Sequence, residues 1–145
     1  MNIKIVTKEF IPKYQKDGDA GFDIQAFTPE FPIVIEPGKR KLVPTGLFME
    51  IPAGYEVQVR PRSGLALKYG ITVLNSPGTI DCGYRGEIGV ILHNTDTELN
   101  FTINHGDRIA QGVVAKVEAA NFIVTEKLAE SERGEGGFGH TGVSN

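Results

Sequence analysis

Three features of this 145-residue chain predict an all-β fold, a jelly-roll-like barrel or sandwich with one short helix. Apolar and polar residues alternate over short runs, as in Tyr55-Glu56-Val57-Gln58-Val59-Arg60, which is the period of a half-buried strand. The runs are rich in valine, isoleucine, phenylalanine and tyrosine, side chains that fit a pleated surface. Glycine, proline and aspartate separate them at short intervals, glycine alone supplying 18 residues.

From the amino terminus, the alternation places strands at residues 3–7, 22–26, 31–35, 41–44, 47–51, 55–60, 71–74, 87–92, 99–103, 108–117 and 122–127. Turns are signalled by Glu36-Pro37-Gly38, Ile51-Pro52-Ala53-Gly54 and His105-Gly106-Asp107. The helix is expected at 63–69, with Ser63 as N-cap and Gly70 as its stop. Two β-branched runs, 71–74 and 88–92, flank the stretch from Gly78 to Glu87, so this segment reads as an irregular hairpin with a wide tip. Beyond Lys127 a polar spacer leads into Arg133-Gly134-Glu135-Gly136-Gly137-Phe138-Gly139-His140-Thr141-Gly142, five glycines in ten residues. Such a tail has too little apolar surface to offset its own ordering entropy. Residues 1–127 are therefore expected to form the β domain, and 128–145 a flexible C-terminal lid belonging to it.

Composition excludes some functions. A net charge of −3 argues against sequence-independent nucleic-acid binding, which needs a basic face to neutralise phosphates. A small anion remains possible, because a few local cations and backbone N–H groups suffice to hold it. Cys82 is the only cysteine, which fits a reducing compartment and a filler role. The start of the chain alternates like a strand, and no run approaches membrane-spanning length. These features predict a soluble cytoplasmic protein.

Four stretches can carry chemistry. Asp81 lies in the glycine-rich tip, either as a turn residue bonded to its own backbone or as a base that takes a proton from water. Arg62 and Ser63 stand where the helix begins, either as a capped end with a solvated arginine or as an anion site. Asp23 enters a strand, as an ordinary strand-end residue or as an orienter of Arg62 across the fold. The tail from Gly134 to Thr141 fits a phosphate loop except for His140 in place of lysine, and it lacks the following helix. It is either a disordered tail or a lid whose N–H groups, Arg133 and Phe138 close on a nucleotide. His93 and His105 have no metal-ligand spacing and read as structural.

Together these stretches resemble, in order, the five motifs of the trimeric dUTPase family, across nearly the whole chain. Asp19-Ala20-Gly21-Phe22-Asp23-Ile24 resembles the first motif and Pro61-Arg62-Ser63-Gly64-Leu65-Ala66 the second. Gly78-Thr79-Ile80-Asp81 with Gly83-Tyr84-Arg85-Gly86 resembles the third, and Gly106-Asp107-Arg108-Ile109-Ala110-Gln111 the fourth. Arg133-Gly134, Gly136-Gly137-Phe138-Gly139 and Thr141-Gly142 resemble the fifth. The resemblance implies hydrolysis of dUTP to dUMP and pyrophosphate, which limits uracil incorporation into DNA and supplies dUMP for dTMP synthesis. It implies a homotrimer whose active sites are shared between subunits.

Carried over by position, Asp81 would activate the water that attacks the α-phosphorus. Tyr84 would pack on the deoxyribose and refuse a 2′-hydroxyl. Asn75, Gly78, Thr79, Ile80 and Gly89 would form the uracil pocket. Arg62, Ser63, Gly64 and Gln111 would bind the phosphates, with Asp23 orienting Arg62. Phe138 would stack on uracil as the tail closes, with Arg133, Gly139, His140 and Thr141 around the γ-phosphate. His140 departs from the family's usual serine. Mg²⁺ would be held through the triphosphate and water rather than by protein ligands. Two other readings stand beside this one. A dCTP deaminase shares the fold and the Arg-Ser motif but needs a carboxylate at the base, and a non-catalytic dUTP sensor would not need Asp81.

Overall fold

The structure is a computed structural model and describes residues 1–137. It is mostly β, with strands β1 (Lys4–Thr7), β2 (Gly21–Gln25), β3 (Ile33–Ile35), β4 (Arg40–Pro44), β5 (Leu47–Glu50) and β6 (Tyr55–Arg60). The one short helix, α1 (Ser63–Tyr69), precedes β7 (Ile71–Val73), β8 (Gly78–Ile80), β9 (Gly89–Asn94), β10 (Phe101–Ile103) and β11 (Arg108–Lys116). A four-stranded sheet runs β2-β11-β6-β8 and a three-stranded sheet β4-β9-β7, with β1 paired to β5 and β3 to β10. The described sheets are open, which corrects the closed barrel entertained from the sequence.

Alternation decides which side chains meet. Along β6 only Val57 and Val59 are buried, and along β9 Val90, Leu92 and Asn94. The apolar ones join Phe22 and Ile24 of β2, Val43 of β4 and Ile71 and Val73 of β7 in one cluster, so both larger sheets pack into a single core. Asn94 is polar and lies outside that apolar cluster, yet has no exposed surface. Its Nδ2 donates to the carbonyls of Ile35 (3.0 Å) and Leu99 (2.8 Å), and its Oδ1 accepts from the Asp96 N–H at 3.0 Å. That side chain satisfies three backbone groups.

Several element ends differ from the alternation, each for a local reason. The strand expected at 31–35 starts only at Ile33, because Pro32 has no N–H to give a ladder. The one expected at 99–103 starts at Phe101, because Asp96 Oδ1 takes the Leu99 N–H and Asn94 the Leu99 carbonyl. Residues 122–127 form no strand, and Phe122, Ile123 and Val124 stand exposed. Ser63 is the first helical residue rather than the N-cap. The cap is Arg62, whose carbonyl accepts from the Leu65 and Ala66 N–H groups while its backbone stays extended. Gly70 does end the helix, left-handed at φ 63° and donating its N–H to Ala66.

The flanks of the wide hairpin pair as expected, Ile71 with Asn94 and Val73 with Leu92. Its tip does not simply loop out. Gly78–Ile80 crosses to the other sheet and pairs with β6, Val59 opposite Gly78 and Val57 opposite Ile80. A chain that leaves one sheet, adds an edge to the second and returns sets its tip across the seam of the fold.

Removing the Asn94 amide takes this donor from the buried Ile35 carbonyl and the part-buried Leu99 carbonyl. Asn94→Ala is expected to lower unfolding free energy by about 2–4 kcal/mol in urea denaturation at fixed protein concentration. A loss within experimental error would mean that water replaces the amide.

Candidate active site

The tip begins where β8 releases the chain. Pairing with β6 delivers Asp81 directly after Ile80, and the Tyr84 N–H bonds back to the Asp81 carbonyl at 3.1 Å to start the turn. The Tyr84 hydroxyl donates to the Glu87 carbonyl at 2.9 Å, and its ring lies so close over Gly86 that any Cβ there would overlap it. Arg85 Nη1 donates to the carbonyls of Cys82 (2.7 Å) and Tyr84 (2.9 Å), closing the loop from the other side. Among the described residues, no side-chain hydrogen bond or ion pair engages the Asp81 carboxylate, which faces solvent. A cavity of about 140 Å³ opens beside it, lined by Thr79, Ile80, Asp81, Tyr84, Glu87, Ile88 and Gly89.

Two glycines near this cavity make close approaches, of which only Gly89 is a lining residue. A Cβ on Gly89 would stand 2.6 Å from Leu42 Cδ1, and one on Gly78 would lie 3.3 Å from the Asn75 amide nitrogen. Asn75 therefore sits against the strand that carries Thr79 and Ile80, but neither it nor Gly78 is among the residues lining this cavity.

A second cavity, of about 350 Å³, follows from strand register. On β11, Gln111 stands opposite Asp23 of β2 on one side and Arg60 of β6 on the other. One row thus brings together Asp23, Gln111 and the end of β6, from which Pro61 and Arg62 lead into α1. Gln111 Nε2 donates to the Pro61 carbonyl at 2.9 Å, and Gly21 is the gap that its side chain fills. Arg62 Nε reaches Asp23 Oδ1 at 3.3 Å, while Arg62 Nη1 donates to the Arg108 carbonyl at 2.9 Å. Ser63 and Gly64 are exposed at the cavity rim, and a Cβ on Gly64 would meet open space.

Arg108 was not among the site residues singled out from sequence. Its Nη1 lies 3.2 Å from Asp23 Oδ2, so one carboxylate, its side chain only 13% exposed, is shared by two guanidinium groups. Register explains the placement: a bulge lies between Arg108 and Ala110, so Ile109 and Ala110 are buried in succession and Arg108 points to the opposite side. The signal available in sequence was the break of alternation at Arg108-Ile109-Ala110. Gln15 lines the same cavity and was also missed.

The two cavities share no lining residue. They lie toward opposite edges of the four-stranded sheet, one by β2 and one by β8. Arg133 folds onto its own turn, its Nε donating to the Gly136 carbonyl at 2.8 Å, and Gly134 is left-handed at φ 51°. Phe138, Gly139, His140 and Thr141 lie outside the described residues. Among the described residues, no three His, Cys, Asp or Glu side chains stand together to hold a metal ion, and none forms a helix able to cross a membrane. The larger cavity offers two guanidiniums, two amides and a hydroxyl beside two carboxylates, Asp19 and the Asp23 that those guanidiniums already occupy, and its guanidinium forks can reach phosphate oxygens.

Comparison with known proteins agrees with this chemistry. A family model described as dUTPase matches residues 7–142. The chain is 58% identical over 132 residues to a deoxyuridine 5′-triphosphate nucleotidohydrolase of Roseobacter denitrificans, covering 91% of this chain and 86% of that protein. It is 56% identical over 143 residues to one from Cytophaga hutchinsonii, covering 97% and 92%. Among solved structures, the dUTPase of Staphylococcus bacteriophage 80alpha with dUPNHPP superposes with TM-score 0.88 at 26% identity, covering 98% and 99% of the two chains.

Asp23→Asn keeps the shape but removes the charge that holds both arginines. Affinity for a nucleoside triphosphate, read by calorimetry, is expected to fall by about tenfold, since hydrogen bonds to charged groups contribute about 1.5–3 kcal/mol. Tighter binding would mean instead that Asp23 merely opposes the anion.

Proposed function

The chain belongs to the dUTPase family and is a deoxyuridine triphosphate nucleotidohydrolase; we propose that it cleaves dUTP by attack of an Asp81-activated water on the α-phosphorus. The carboxylate accepts a proton as the water oxygen bonds to phosphorus, and the bond to the α,β-bridging oxygen breaks to release pyrophosphate. The observation that carries this reading is the Asp81 carboxylate itself, solvent-facing and unengaged by described neighbours, lining a cavity of about 140 Å³.

Around that cavity the uracil meets Asn75, Gly78, Thr79, Ile80 and Gly89, and Tyr84 packs on the deoxyribose where a 2′-hydroxyl would have to stand. The triphosphate falls to Arg62, Ser63, Gly64 and Gln111, with Asp23 orienting Arg62. Mg²⁺ fits as a companion of the triphosphate rather than as a protein-held ion, and when bound it neutralises phosphate charge and aligns the chain for in-line attack. The protein's part is to place the phosphates with guanidinium forks and to leave Asp81 free for the water. The turn at Arg133 leads into Phe138, Gly139, His140 and Thr141, which we assign to a lid that stacks on the base and encloses the γ-phosphate. Base stacking of about 1–3 kcal/mol is enough to bias such a segment toward closure.

A homotrimer of jelly-roll subunits with shared sites accounts for the separation of the two cavities. Asp81 of one copy then completes the phosphate cavity of another. The exposed Val6, Phe122, Ile123 and Val124 give such an assembly apolar surface to bury. A cytoplasmic role, limiting uracil in DNA and supplying dUMP for dTMP synthesis, fits the lone Cys82, which has no intrachain partner.

With Mg²⁺ present, pyrophosphate release is expected from dUTP and not from dTTP, dCTP or UTP. Asp81→Asn should lower turnover on the order of 10²- to 10⁴-fold. Equal release from dTTP or UTP would refute the selective pocket. Truncation after Lys127 is expected to leave circular dichroism unchanged while turnover falls on the order of 100-fold; unchanged turnover would remove the lid.

A further inference from the structure

The residue after the tip does more than lead into β9. We infer that Glu87 is a positioning residue for sugar discrimination: its carboxylate locks the Tyr84 phenol in place by pinning the tip to the Thr45–Gly46 turn.

The path is continuous. Glu87 Oε1 accepts from the Gly46 N–H at 2.8 Å, and Oε2 lies 3.6 Å from Lys8 Nζ. Gly46 is left-handed at φ 65°, and its own carbonyl accepts from the Lys8 N–H at 2.9 Å, so the acceptor's docking point is itself held. The 87–88 peptide is then gripped on both edges. Its N–H, from Ile88, donates to the Leu47 carbonyl at 2.8 Å, and its C=O, from Glu87, accepts from the Tyr84 hydroxyl at 2.9 Å. Thr45 Oγ1, buried, donates to the Ile88 carbonyl at 2.5 Å. The orientation of the carbonyl that holds the phenol depends on the backbone torsions of residue 87. Among the contacts described, Glu87 supplies the one side-chain anchor on that residue.

Phenol position matters because Tyr84 has no other described hydrogen-bond partner for its hydroxyl, and its ring rests on a glycine that cannot steer it. A ring displaced by an ångström admits a 2′-hydroxyl and misplaces the sugar, an error that can cost on the order of 100-fold in rate. A salt bridge that served only stability would not alter the preference between two sugars.

This inference rests on the reading of Tyr84 as the deoxyribose platform. The test measures kcat/KM for dUTP and UTP in wild type, Glu87→Ala, Glu87→Asp and Glu87→Gln, with thermal unfolding alongside. Glu87→Ala and Glu87→Asp, the latter one methylene too short to reach Gly46, are expected to reduce the dUTP:UTP ratio about tenfold or more. Glu87→Gln, which keeps an acceptor for the Gly46 N–H, should restore it to within about threefold. If the alanine variant does not fold, the aspartate variant decides. A discriminating wild type with an unchanged ratio in Glu87→Asp and in any folded Glu87→Ala would overturn the positioning role while leaving the dUTP reading intact. A wild type that does not discriminate would overturn both.

Discussion

The register of β11 between β2 and β6 is the constraint on which the polar cavity depends. One residue of slip would exchange every inward and outward side chain of the strand, because the period of a strand is two. In the observed register Gly112 lies under the Phe22 ring, where any Cβ would collide, and Val59 stands opposite it on β6. That fit leaves Gln111 level with Asp23 and Arg60, on the polar face of the same three strands. The bulge at Arg108 then turns one more cation toward Asp23. A glycine that makes room for a phenylalanine in the core thus fixes where the charges meet on the surface.

The electrostatics are local and run against the molecule's total. The chain carries −3 overall, yet around Asp23 two guanidiniums face one carboxylate. The carboxylate partly neutralises and fully orients them, while Asp19 lines the same cavity as a second carboxylate, so the cavity gathers guanidinium donors without a net formal charge. At the other cavity the logic is reversed. Asp81 is left without a cation or a described hydrogen-bond donor, while neighbouring groups, the Tyr84 hydroxyl and Arg85, bond to main chain. One aspartate is immobilised and the other is left free, a difference in surroundings that matches the orienting and proton-accepting roles proposed for them.

Much of the strand content was legible in sequence. Alternation such as Val57 and Val59 or Val90 and Leu92 fixes which face is buried, and a buried face requires a partner layer. Gly70 was legible as a stop because a left-handed residue is costly for any side chain but glycine. The ends were less so. Pro32 is visible in the sequence, but its effect on a ladder depends on which side of the strand its partner lies. The capture of Leu99 by Asn94 and Asp96 involves side chains whose targets depend on the fold. Residues 122–127 have a strand's composition without a strand's partner, and a strand exists only as a pair.

By itself, then, the sequence determined the all-β character, the single helix, the flanks of the hairpin and the residue types available for chemistry, because these depend on local period and local backbone preference. Tertiary structure alone decided that Gly78–Ile80 leaves its hairpin to edge the other sheet, that Arg108 shares Asp23 with Arg62, and that Asp81 and Arg62 line different cavities. Each of these is a meeting of groups far apart in the chain, and the spacing of residues along a chain carries no distance across a sheet.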